Sequence, residues 1–287
     1  MSSPSVKRAA SAPRVCCALS IAGFDPSGGA GIAADLRAFA ACGVWGCAAV
    51  SVVTVQSTAG LVSVCPLSSA LVVDQVREVL AHQRVRAIKT GALGSAEIVR
   101  AVCAVARDHP KLPWVLDPVM VATHSPSGAR LLDSQALAAL RDALSLVTVA
   151  TPNVDEASAL LGSDIRNAND MVDAAAELQR RFGSHAVLLK GGHLQQGPAL
   201  DVLAFRNRID RLTARRQNVP ALHGGGCTLA ALIAGKLARA ARPRDPTVIR
   251  EAVGFAKRRV TQAIARATVV GDGLAVLPVG YRSVVMT

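Results

Sequence analysis

Residues 15–43 read VCCALSIAGFDPSGGAGIAADLRAFAACG: an unbroken apolar run, a glycine-rich turn from Gly23 to Gly31, and then a helical pattern. A strand followed by a tight turn and a helix is the unit of an α/β fold, and the same alternation continues down the chain. Further strands are predicted at 48–55 (AAVSVVTV), 85–91 (VRAIKTG), 113–119 (PWVLDPV), 144–153 (LSLVTVATPN) and 185–192 (HAVLLKGG), with helical patterns between them, as at 96–109 and 170–183. These strands are near-continuous runs of Val, Ile, Leu and Ala rather than alternating ones, as expected when both faces of a parallel sheet are covered. The expectation is an α/β three-layer sandwich with a mostly parallel central sheet and helices on both faces. A small β-hairpin at 200–214 and two closing helices, at 226–241 and about 245–268, complete it.

No internal repeat and no break in composition marks a linker, so 15–287 is read as one domain. The first 14 residues, MSSPSVKRAASAPR, are small and basic and are read as a disordered extension, with a transit peptide as the lesser alternative. Apolar runs are interrupted by charges, Gly or Pro well short of the ~20 residues that span a bilayer, so no membrane partner is expected. The net charge of +12 raises the question of nucleic acid, but basic residues are scattered and only 3% of residues are aromatic, leaving few stacking platforms. The densest basic run, 206–217, is read as a solvated hairpin face. Seven cysteines without a C-x-x-C pair suit a reducing, cytoplasmic setting. Six are read as packing.

In doubly wound sheets ligands bind beyond the carboxyl ends of the strands, and there this chain places its informative polar residues. Asp117 follows WVL. Asn153, Asp155 and Glu156 follow the next strand end, and Lys190 closes another before two glycines. Carboxylates so placed can hold Mg²⁺ through water, and a lysine can meet a phosphate as a point charge; each can equally be a helix cap or an ion pair. The Gly23–Gly31 turn fits neither the Walker nor the dinucleotide spacing, which leaves open a plain tight turn or a nucleotide loop.

The stretch HGGGCTLAALIAG (223–235) sets three glycines before apolar positions at helical spacing. Bare backbone N–H groups at a helix start converge on an anion and gain from the helix dipole. The same field favours a thiolate, so Cys227 is expected to be partly exposed, with a lowered pKa, as base or nucleophile. Burial of a small cysteine after a flexible loop is the alternative.

The segments IAGFDPSGGAGIAADLRAFAACGVWG, DPVMVA, TPNVDEA, LLKGGH and HGGGCTLAA, in that order and over about 18–280, resemble the hydroxymethylpyrimidine/phosphomethylpyrimidine kinase family of thiamine biosynthesis. The resemblance implies a ribokinase-like fold, ATP and Mg²⁺ as co-substrate and cofactor, a pyrimidine substrate and a homodimer. It implies that Gly224, Gly225 and Gly226 stabilise the transferred phosphoryl group and that Cys227 stands beside the substrate hydroxyl. Gln56 and Asp35 would recognise the pyrimidine, with Gly23, Thr54 and Ala92 in the same pocket. Asn153, Glu156 and Lys190 would face ATP, with Asp117 and Glu156 on the metal side.

Three departures stand out. Gly225 replaces the family's threonine, Ala92 replaces a methionine, and the loop 121–132 is longer and lacks a lysine. The alternatives are a pyridoxal-type vitamin kinase and a weakened pyrimidine-binding protein. A hydrolase is also conceivable from HGGG, but the chain holds no G-x-S-x-G nucleophile.

Overall fold

A computed structural model describes residues 15–120, 131, 135–192, 198–206 and 208–281. The proposed N-terminal extension and most of the 121–132 loop lie outside the described residues. In chain order the elements are β1 (Cys17–Phe24), α1 (Gly31–Ala41), β2 (Trp45–Ser57), β3 (Gly60–Pro66), α2 (Ser69–His82), β4 (Val85–Thr90), α3 (Ala96–Asp108), β5 (Trp114–Leu116), α4 (Ala136–Ala143), β6 (Val149–Ala150), α5 (Val154–Leu161), α6 (Ala168–Phe182), β7 (Ala186–Lys190), β8 (Ala199–Phe205), β9 (Arg208–Ala214), β10 (Leu222–His223), α7 (Gly225–Ala238), α8 (Pro246–Ile264) and β11 (Ala275–Val276).

Nine of these strands form one sheet in the order β3-β2-β1-β4-β5-β6-β7-β8-β9, and β10 pairs with β11 apart from it. The run from β2 through β7 is parallel, while β3, β8 and β9 are antiparallel. Each face of the sheet carries its own core. One packs α2 to α6 around Leu19, Ile21, Leu116 and Leu189; the other packs α1, α7 and α8 around Ala18, Val115, Val149 and Leu188. Neighbouring residues of one strand thus enter opposite cores, which is why these strands are apolar throughout. The expected sandwich and hairpin are both present, and the hairpin extends the sheet. The chain leaves β1 for β2 on one side and returns to β4 on the other, so a crevice opens at the carboxyl end of β1.

Three details differ from the sequence reading. The run 144–153 opens with a 3-10 turn, Leu144–Leu146, and within it only Val149–Ala150 forms a strand of the sheet. Strand β3, which the apolar pattern did not single out, folds back on β2 through a turn at Thr58–Ala59. Cys65, read as packing, is exposed on that edge strand, whereas Cys17, Cys42, Cys47 and Cys103 are buried. Among the described residues no helix is long and apolar enough to cross a membrane.

Candidate active site

Strands β1, β2, β4, β5, β6 and β7 deliver Asp25, Gln56, Lys89, Asp117, Asn153 and Lys190 to one end of the sheet, and α7 starts beside them. The turn after β1 is built around Asp25. Its carboxylate accepts the N–H groups of Ser27 and Ala30 and the Ser27 hydroxyl, each at 2.9 Å. Gly28 N–H goes to Asp25 O and Gly29 N–H to Ser27 Oγ. The amides of residues 27–30 are thus spent within the turn and that of Gly31 goes to the Cys227 sulfur, so it is a tight turn rather than a phosphate loop. Gly31 shows why glycine is needed there: φ is +55°, and a Cβ would stand 2.2 Å from Gly23 O.

The second glycine stretch opens α7. Gly224 is the N-cap at φ +76°, with no side-chain cap, and a Cβ there would stand 2.0 Å from Gly29 O, so the two glycine segments meet backbone to backbone. The first capping bond is from Thr228 N–H to Gly224 O, which leaves the N–H groups of Gly225, Gly226 and Cys227 as the orphan donors of a helix start. A Cβ on Gly225 would meet nothing within 4 Å, while one on Gly226 would lie 3.1 Å from Lys190 Nζ and 3.6 Å from Asp117 Oδ2.

Lys190 Nζ donates to Asp117 Oδ1 at 2.7 Å and lies 3.9 Å from Glu156 Oε2; Thr151 Oγ1 donates to the same Asp117 oxygen at 3.1 Å. Burial works against the Asp117 carboxylate, but Lys190 and Lys89 overcome it and hold its pKa below the usual value. Glu156 is pushed up to about 7, by burial first and by Asp117, against the pull of Lys190. Asn153 and Glu156 form a capping box on α5, each bonded at 2.8 Å to the other's backbone N–H. The helix-cap reading of Asn153 therefore holds for its side chain.

Cys227 is partly exposed, as expected, but its thiol is not primed. Burial, with Asp117 and Asp35 nearby, outweighs Lys89 and pushes its pKa up to about 11. The expected lowering fails because the helix end supplies one favourable field while desolvation penalises the thiolate more.

Gln56 and Thr54 are joined to the turn. Thr54 Oγ1 donates to Phe24 O at 2.9 Å and lies 3.2 Å from the Gln56 amide, whose other end is 3.4 Å from His223 Nε2. Ala92 borders Gly23 and packs with Leu61 and Leu131. Asp35 has no exposed surface: it accepts from Ser20 Oγ at 2.6 Å and pairs with Lys89 Nζ at 2.8 Å, leaving Oδ1 buried without a partner. Burial pulls the Lys89 ammonium down, but Asp35 beside it raises its pKa above the usual value.

Three site residues escaped the sequence reading. Lys89 is wholly buried on a strand between two cores, a position that demands a counter-charge, and Asp35 on a helix face among alanines was the visible candidate. His223 and Asp25 form a buried pair at 2.7 Å that links the two glycine segments.

Among known proteins, the sequence profile of phosphomethylpyrimidine kinase matches residues 25–279. The hydroxymethylpyrimidine/phosphomethylpyrimidine kinase of Rhizobium meliloti is 41% identical over 251 residues, 87% of this chain and 91% of that one. The thiamine biosynthesis bifunctional protein ThiED of Geobacter sulfurreducens is 39% identical over 256 residues, covering 89% of this chain; the chain spans 50% of that relative's length. In structure, an ADP complex of Bacillus subtilis pyridoxal kinase superposes with a TM-score of 0.81 at 30% identity, over 92% of this chain and 97% of that one.

Proposed function

The chain belongs to the phosphomethylpyrimidine kinase family, with its ribokinase-like fold, and from that membership we propose that it transfers a phosphoryl group from ATP to the hydroxymethyl arm of 4-amino-5-hydroxymethyl-2-methylpyrimidine and then to the resulting monophosphate. The observation that carries this reading is the uncapped start of α7, bordered by Lys190, Asp117 and Cys227 at the mouth of the crevice. The N–H groups of Gly225, Gly226 and Cys227 hold the phosphoryl oxygens, and Lys190 adds a positive charge where negative charge develops.

Gln56 offers the pyrimidine edge one donor and one acceptor, with Thr54, Gly23 and Ala92 around the ring; Asp35, expected to read the same ring, is instead sealed from the crevice with no exposed surface and serves as the counter-charge of Lys89. Cys227, protonated near neutral pH with a pKa of about 11, orients the substrate hydroxyl rather than standing ready as a thiolate. No cluster of three or more metal-binding side chains occurs among the described residues, and Lys190 already partly neutralises Asp117. That donor set fits a Mg²⁺ ion held through water by Asp117 and Glu156, where it would neutralise charge on the ATP phosphates.

The likeness to pyridoxal kinase favours a second reading, with pyridoxal as substrate. A coupled assay of ADP release with the hydroxymethylpyrimidine, its monophosphate and pyridoxal, side by side, tests both. ADP release with the pyrimidine well above that with pyridoxal supports the first reading; the reverse order establishes the second. The exposed apolar strip of Phe24, Val53 and Val55 supports the homodimer implied by the resemblance, which light scattering checks.

A further inference from the structure

The hydrogen bonds around Gln56 prescribe which way its amide faces. A half-turn about the last side-chain bond exchanges oxygen and nitrogen, so the neighbours choose between two orientations. One neighbour is His223 Nε2, which lies 2.7 Å from Asp25 Oδ2. Asp25 is an acceptor throughout: the same Oδ2 takes the Ser27 hydroxyl and the Ala30 N–H. His223 Nε2 therefore carries a proton, and a nitrogen that donates has no lone pair left to accept with. The other neighbour is Thr54, whose single hydroxyl proton has Phe24 O at 2.9 Å as its nearer acceptor.

With the amide nitrogen toward His223, N–H would face N–H at 3.4 Å and two acceptors would compete for the one Thr54 proton. With the oxygen toward His223, no two donors face each other and the Thr54 proton has a single acceptor. Thr54 donates to Phe24 O, the amide N–H donates to Thr54 Oγ1 at 3.2 Å, and the amide oxygen lies 3.4 Å from the His223 N–H, whose proton goes first to Asp25. We propose that His223, its proton fixed by Asp25, is a positioning residue that holds the Gln56 amide with oxygen on the His223 side and nitrogen on the Thr54 side, and thereby sets which way round the pyrimidine binds.

This rests on the reading that Gln56 recognises the pyrimidine. An aminopyrimidine edge presents a ring-nitrogen acceptor beside an exocyclic amino donor, and the carbon bearing the hydroxymethyl arm comes next after the amino group. Ring nitrogen then pairs near Thr54 and amino group near His223. The arm consequently points to the His223 side, from which the chain runs directly into Gly224–Cys227. The opposite amide orientation would send the arm away. A 4-oxo counterpart, with a ring N–H donor and a carbonyl acceptor, carries the reversed pattern and is rejected, because mispairing leaves buried polar groups unsatisfied.

The test has two arms. Nitrogen-15 resonances of the His223 ring in the wild-type protein should show Nε2 protonated; an unprotonated Nε2 overturns the proposal, and this arm does not depend on any variant folding. The second arm measures the ratio of kcat/KM for the 4-amino substrate to that for its 4-oxo counterpart. The ratio should fall about tenfold or more in His223→Leu and recover in His223→Gln, which keeps an N–H for Asp25. If His223→Leu loses kcat with the ratio unchanged, His223 only joins the loops and the proposal fails. Gln56→Leu separates the premise: a ratio unchanged there shows that Gln56 does not read the pyrimidine, whereas a ratio that collapses there but survives in His223→Leu sinks the His223 assignment alone.

Discussion

The two glycine segments look alike in composition and behave in opposite ways. In the first turn, Asp25 and Ser27 consume the backbone amides of residues 27–30, and the result is a closed piece of chain. At the start of α7 no side chain caps the helix, and the amides of residues 225–227 precede the first intrahelical bond. Glycine content therefore says nothing about anion binding until the acceptors within reach have been counted. The first segment has its own carboxylate; beside the second the near carboxylate, Asp117, is already taken up by Lys190 and Thr151.

The contrast is sharpest at Gly224, where an added methyl meets both a left-handed φ of +76° and the Gly29 carbonyl at 2.0 Å. Gly224→Ala should lose about 2 to 5 kcal/mol of stability in urea unfolding, from left-handed strain together with overpacking. Gly225→Ala, with open space around it, should change stability little. Equal losses at both positions would dissolve the distinction between a packing glycine and an open one.

Next in size is Cys227→Ala, expected to lower kcat by about a hundredfold, ~2.7 kcal/mol, because it removes the group that orients the substrate hydroxyl, while Cys227→Ser keeps a hydrogen-bonding group there and loses much less; the Tm moves little in both. The raised pKa adds a pH test. A thiol with a pKa of about 11 is nearly all protonated at pH 7, so alkylation of Cys227 should be slow there. Its rate should rise close to tenfold per pH unit until it levels off near 11. Fast labelling at neutral pH would restore the thiolate that the helix end alone suggests.

Gln56→Leu should weaken use of the pyrimidine by about 1 to 3 kcal/mol in kcat/KM and leave the ATP constant nearly unchanged, because it strips a donor and an acceptor from a buried edge. The smallest effect is expected for Gly225→Thr: the hydroxyl has room, but the backbone donors already hold the anion, so ATP constants should shift by less than tenfold, under ~1.4 kcal/mol. A gain of several hundredfold would show instead that the open glycine leaves the second segment a weakened anion hole.

Much of the layout was legible because β1 and β7 are apolar on both sides over most of their length, a pattern that a covered parallel sheet explains. Strand β3 was less so: it lies at the sheet edge with Ser63 and Cys65 exposed, and its pattern reflects half-burial rather than a core. In the site, Asp117 and Lys190 were visible because strand ends announce themselves. The Lys89–Asp35 and His223–Asp25 pairs join residues 54 and 198 positions apart, and no local pattern records such a meeting. The direction of the Cys227 shift was misjudged for a related reason. A helix end can be read from a glycine and the pattern that follows, whereas desolvation depends on everything else that folds over the sulfur.

The contact of Gly224 with Gly29 is made by main chain alone, so no repacking of side chains can lengthen or shorten it. Thr54, which holds the Gln56 amide, is anchored through Phe24 O on the β1 side of this seam, and the α7 amides begin on the other. The spacing between where a ring is read and where a phosphate is held is thus a fixed dimension of the backbone. Admission of a ligand and escape of a product have to be accommodated by other walls of the crevice, because those two points move only together.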